Sequence, residues 1–146
     1  MKSISKSTKN WQWTDEQESA LARLKQQLCN APVMSYFDSE KQTEIQTDAS
    51  PVGLGAILIQ RGKNNKEHIV AYASRSLTDV EQRYSQTERE ALAVVWSCEH
   101  FHIYIHGKPV TIHTDHKPLV ALYNNPRCKP PARIERWALR LQPYET

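Results

Sequence analysis

Between Thr43 and Ala49 the chain alternates. Thr43, Ile45 and Thr47 share one face and Glu44, Gln46 and Asp48 the other, the period of a half-buried strand. Leu54 to Gln60 is a nearly continuous apolar run and reads as a buried strand. The polar stretch Arg61 to Lys66, with Gly62 and two asparagines, reads as a hairpin loop, and Ile69 to Ala73 as a third strand. Three strands joined by tight links predict an antiparallel meander. Val110, Ile112 and Thr114 alternate against Thr111, His113 and Asp115, which predicts a fourth strand.

Other segments carry the helical period. Ala20, Leu21, Leu24 and Leu28 make one apolar stripe behind Thr14, whose spacing to Gln17 fits a capping box, and Asn30-Ala31-Pro32 ends that helix. Ser85 and Glu88 form a second box ahead of a long helix over about 87–105. Its apolar positions Ala91, Leu92, Val94, Val95, Trp96, Cys98 and Phe101 nearly encircle it, so it is predicted to be central. Gly107 stands where a C′ glycine belongs. Thr78 and Glu81 fit a short capped turn, Pro118 opens a short helix, and Ile134, Trp137, Ala138 and Leu141 line one side of a last helix over about 132–141. The order helix, three strands, long helix, strand, helix, helix predicts an α/β fold, a mixed sheet with helices on its faces. Trp11, Trp13, Trp96 and Trp137 are expected as packing anchors rather than base-stacking platforms.

Composition narrows the class. At 146 residues, with 39% hydrophobic and 24% charged, the chain suits one compact domain. No stretch is long and apolar enough to span a membrane, and the polar, basic Met1 to Asn10 lacks the apolar region of a signal peptide. Cys29, Cys98 and Cys128 are too widely spaced for a zinc knuckle or a disulfide framework, which favours an intracellular rather than a secreted setting. His102 and His106 have i,i+4 spacing, but no Glu or Cys completes a zinc site. Net charge is +3 and the basic residues gather after Ile105, which fits either a solvated helix face or a surface meeting phosphates.

Three carboxylates occupy telling places. Asp48 ends the first strand, Glu90 lies in the first turn of the long helix, and Asp115 follows the fourth strand. Strand ends beside helix starts are where open α/β sheets place their sites. Converging carboxylates repel unless a cation lies between them, and hard oxygen ligands suit Mg²⁺. Each residue also has a plainer role open to it: Asp48 as a turn former, Glu90 as the box partner of Thr87, Asp115 as an N-cap.

Thr47-Asp48-Ala49-Ser50, Gly53-Leu54-Gly55-Ala56, Ala71-Tyr72-Ala73-Ser74-Arg75-Ser76-Leu77, Tyr84-Ser85, Glu88-Arg89-Glu90-Ala91-Leu92-Ala93-Val94-Val95-Trp96, Thr114-Asp115-His116-Lys117-Pro118-Leu119, Ala132-Arg133-Ile134-Glu135-Arg136-Trp137 and Leu141-Gln142-Pro143-Tyr144 come in an order that resembles the ribonuclease H-like domain of gypsy-type LTR retrotransposon reverse transcriptases. The resemblance implies a ribonuclease H-like fold with helices on both sheet faces. It implies a linker tail and helix over residues 1–40, leading from a polymerase thumb, and the ribonuclease H-like domain over 41–146. The implied activity is endonucleolytic hydrolysis of the RNA strand of an RNA–DNA hybrid, leaving a 3′-hydroxyl and a 5′-phosphate. Asp48, Glu90 and Asp115 match the catalytic carboxylates that hold two Mg²⁺ or Mn²⁺ ions; Ser50, Ser74, Arg75 and His116 are expected near substrate. The implied partners are the hybrid and an upstream polymerase domain of the same polyprotein, with no membrane and no small-molecule cofactor. The implied setting is cytoplasm, virus-like particle or nucleus.

The resembled family also carries a fourth carboxylate downstream, in an Ala-Asp-Ala-Leu-Ser-Arg-like motif that residues 1–146 do not contain, so residues 41–146 are expected to be a C-terminally truncated domain. The alternative reading is a catalytically weak ribonuclease H-like module that binds nucleic acid or a protein partner, as a domesticated or fragmentary transposon remnant.

Overall fold

The computed structural model describes residues 12–29, 34–115 and 131–144. Two units are distinguished: the described part of Met1–Val33, and Met34 onward. In the first, helix α1 (Asp15–Cys29) begins where its cap predicts. The Gln17 side chain accepts from the Thr14 N–H at 3.0 Å and also from the Thr14 hydroxyl. Asp15, Glu16 and Glu18 lie in the first turn, where the helix dipole favours negative charge. No residue of α1 is buried. Trp13, expected to pack, is half-exposed, and its indole N–H donates to Glu18 at 2.7 Å.

The second unit is built on a four-stranded mixed sheet in the order β3-β2-β1-β4. The strands are β1 (Gln42–Ala49), β2 (Gly53–Arg61), β3 (Glu67–Ser76) and β4 (Val110–Thr114). β1, β2 and β3 form the expected antiparallel meander, while β4 lies parallel to β1. A parallel neighbour needs a crossover. α2 (Gln86–His100) supplies it, followed by the single turn α3 (His102–Ile105), whose exit bends at Gly107 with φ +69°.

Alternation sorts the sheet into two faces. Ile45, Ala49, Leu54, Ala56, Leu58 and Val110 are buried on the face that α2 covers. There they meet Ala91, Leu92, Val94, Val95 and Cys98 of α2 in two adjoining apolar clusters. α4 (Ala132–Leu141) packs on α2 through buried Ile134 and Trp137. Burial among these groups pushes the Cys98 thiol up to about 12, so it is an inert core residue. On the other face Glu44 is also buried. Its carboxylate is held by Arg61, at 3.0 Å from Nη2, and by His113 Nε2 at 3.0 Å. These bonds hold the carboxyl below its ordinary value, Arg61 first.

Candidate metal centre

The three carboxylates arrive from three elements. Asp48 lies near the end of β1, paired across the sheet with Gly55. The parallel pairing of β1 with β4 runs to Thr47 opposite Thr114, so the next residue, Asp115, emerges at the same sheet end. Glu90 is the fifth residue of α2 and only 2% exposed. α2 starts at this sheet end because Ser85 and Glu88 close the predicted capping box there: the Ser85 side chain accepts from the Glu88 N–H, and the Glu88 carboxylate accepts from the Ser85 N–H at 2.9 Å.

One ligand oxygen from each of Asp48, Glu90 and Asp115 lies within 4.8 Å of the others, with Asp48 and Asp115 exposed and Glu90 buried. At that spacing two full charges repel by at least roughly 3 kcal/mol in a surface-like dielectric. A divalent cation reverses that sign. The donor set, all hard oxygen, open to water on two sides and anchored on the third, fits Mg²⁺ or Mn²⁺, which keep several waters alongside carboxylates. Among the described residues this is the one grouping of three metal-ligating side chains. His102 is instead turned to the Tyr144 hydroxyl, with 3.0 Å between Nδ1 and the oxygen.

The other expected site residues separate. Ser74 pairs with Gly55, which itself pairs with Asp48, so all three project from one face of the sheet. Arg75 projects from the opposite face. It donates to Glu81 through Nη1 at 2.8 Å and Nη2 at 2.9 Å, and its guanidinium lies 5.7 Å from the Trp96 ring centroid. Ser50 is committed to the β1–β2 turn: its hydroxyl accepts from the Gly53 N–H at 2.9 Å and donates to the Gly53 carbonyl at 3.1 Å. Gly53 allows that turn, because a Cβ there would come within 3.1 Å of the Arg75 carbonyl. His116 lies outside the described residues, as do Trp11, Cys128, the expected helix at Pro118 and the Asn30-Ala31-Pro32 stop.

Among the described residues, the basic side chains near the C-terminus are occupied. Arg133 donates to Glu88 at 2.6 Å and stacks on Tyr84 at 4.2 Å; Arg140 holds both oxygens of Glu99, at 2.7 and 2.6 Å. Sequence reasoning missed Gln86, which touches Glu90; its i,i+4 spacing to Glu90 was the available signal.

Residues 13–112 match the family described as the RNase H-like domain found in reverse transcriptase. The retrovirus-related Pol polyprotein from transposon 412 of Drosophila melanogaster is 41% identical over 134 residues, covering 92% of this chain and 11% of that protein. The transposon Tf2-3 polyprotein of Schizosaccharomyces pombe is 35% identical over 136 residues, covering 92% of this chain and 10% of its own length. The chain thus spans about a tenth of these relatives. Among solved structures, the foamy viral protease-reverse transcriptase dRH in complex with double-stranded DNA superposes with TM-score 0.71 at 20% identity, over 91% of this chain and 25% of that one. RNase H1 from the halophilic archaeon Halobacterium salinarum NRC-1 gives 0.51 at 10% identity, over 69% and 74%. At such identities the likeness is one of fold.

Proposed function

Because this chain belongs to the family of RNase H-like domains found in reverse transcriptase, we propose that it hydrolyses the RNA strand of RNA–DNA hybrids endonucleolytically, as part of a gypsy-type retrotransposon polyprotein. The observation that supports this reading is the convergence of Asp48, Glu90 and Asp115 within 4.8 Å at the sheet end where β1, β4 and α2 meet. Asp48 and Asp115, both exposed, face incoming substrate, while buried Glu90 anchors the cluster from the helix side. These three carboxylates would hold two divalent ions, which when bound would supply a water of lowered pKa and charge stabilisation for the leaving 3′-oxygen. Ser74 lies on the Asp48 side of the sheet, which supports a role for it in meeting the hybrid's sugar–phosphate backbone. In this reading residues 1–40 link from an upstream polymerase domain, and a fourth carboxylate from downstream chain completes the ligand set, so that residues 1–146 alone cut more slowly than a longer piece of the polyprotein.

The test is cleavage of a hybrid labelled on its RNA strand, in Mn²⁺, Mg²⁺ and EDTA, by the wild-type chain and Asp48→Asn. The hybrid should be cut in metal and spared in EDTA, with duplex DNA untouched. Asp48→Asn should lose at least about 100-fold in rate, because a neutral amide cannot replace a carboxylate between cations. In EDTA it should melt slightly higher than wild type, through relieved repulsion. Equal cutting by Asp48→Asn removes Asp48 from the metal centre. Metal-dependent retention of hybrid without cutting, even in a longer piece, would favour a binding module.

A further inference from the structure

Gln86 is the first residue of α2, one turn before Glu90 on the same helix face. Its Nε2 donates to Glu90 Oε1 at 2.6 Å and reaches the carbonyl of Ala49, the residue after Asp48, at 3.4 Å. Its Oε1 accepts from Arg89 Nη2 at 2.7 Å. A guanidinium only donates, so this bond fixes which end of the amide faces which neighbour: oxygen to Arg89, N–H to Glu90. Arg89 is itself held, since its Nη1 donates to the Tyr84 carbonyl at 3.0 Å and the Gln82 carbonyl at 3.4 Å. A relay therefore runs from the backbone ahead of α2, through Arg89 and Gln86, to the buried carboxylate, with a side contact to the end of β1.

We propose that Gln86 is a positioning residue for the metal centre: its amide N–H sets the rotamer of Glu90, so that the buried carboxylate meets the ion already aimed. The inference rests on the metal-dependent reading above. The chemistry of the side chain suits the task. An amide donates a hydrogen bond without a positive charge, so it orders Glu90 and leaves the cluster's negative charge intact for the cation. A lysine or arginine in the same place would compete with the ion. Groups that orient a metal ligand in this way typically change metal affinity 10–100-fold when removed.

Gln86→Met tests it. Methionine matches the length and helix preference of glutamine and lacks the donor. Calorimetric titration with Mn²⁺ should show affinity lower by about 10-fold. The melting point in EDTA should stay within about 3 °C of wild type, because the side chain is exposed at the helix start. Arg89→Met, which frees the amide to flip, should shift Mn²⁺ affinity the same way by less. Hybrid cleavage by Gln86→Met should need more Mn²⁺ yet approach the wild-type rate at saturation, a split that loss of folded protein would not produce. Unchanged Mn²⁺ affinity in Gln86→Met overturns the positioning role while leaving the metal centre standing. A wild-type chain that binds no Mn²⁺, or whose binding survives Asp48→Asn, overturns both.

Discussion

The carboxylate of Glu81 accepts both arms of Arg75, at 2.8 and 2.9 Å, and the Thr78 N–H at 2.9 Å. The Arg75 hydrogen bond comes first among the causes that bring its pKa down to about 2 from an ordinary 4.5. A depressed carboxyl stabilises the fold wherever the unfolded chain would also be ionised, so the contribution is complete above about pH 4.5 and is lost as pH falls towards 2. Urea denaturation of Arg75→Met should show a loss of about 1–2 kcal/mol at pH 7 and a flatter pH dependence between 4.5 and 2. An unchanged slope in that window would remove the pair from the account. The sequence placed Arg75 near substrate because it lies close to a strand end. Alternation alone says that Ser74 and Arg75 face opposite ways, but only the β2–β3 register, with Ser74 opposite Gly55, says which of them shares the Asp48 face. That register contains a shift between Leu58 and Ile59, and no turn residue in the sequence announces it.

Elements were more legible than contacts, because period and caps are local. β1 and β4 fall where alternation put them, α4 spans Ala132–Leu141, and both predicted capping pairs around α2 and the Glu81 turn form. The expected single helix over 87–105 is instead interrupted at Phe101, between α2 and α3. Phe101 leaves helical geometry (φ −93°, ψ 13°) and is buried, so the core takes its ring while the backbone turns. No Gly or Pro marks the spot, and apolar spacing stays helical through it. The α2–α4 contact illustrates which forces hold elements together. Trp137 is 9% exposed and meets Tyr84 at a ring separation of 5.8 Å, whereas the Arg140–Glu99 pair is about half exposed. Trp137→Ala should cost about 3–4 kcal/mol in urea denaturation, and Arg140→Ala less than about 1. Equal losses would mean that the Arg140–Glu99 pair docks α4 as strongly as the apolar contact does.

At the scale of the whole molecule, the mixed sheet was readable from element order, since a helix between two strands predicts a parallel crossover. The convergence of the carboxylates was not readable, because it depends on β4 lying next to β1 rather than at the β3 edge. The distances come from the folded chain.

The parallel β1–β4 pairing also makes the candidate metal centre a product of chain closure. Asp48 and Asp115 lie on either side of the whole β2, β3 and α2 excursion, so the denatured ensemble holds them far apart and offers an ion no chelate. An ion that binds only the closed chain shifts the folding equilibrium by mass action, by about 2.7 kcal/mol at a hundred times its dissociation constant. Thermal melts in rising Mn²⁺ should therefore climb for wild type and stay flat for Asp48→Asn, and a flat wild-type curve would sink the idea. On the proposed metal-dependent reading, divalent metal would act on this chain as a clasp: without it β4 would open from β1 more often, exposing the ligands to exchange and the edge of β1 to other strands.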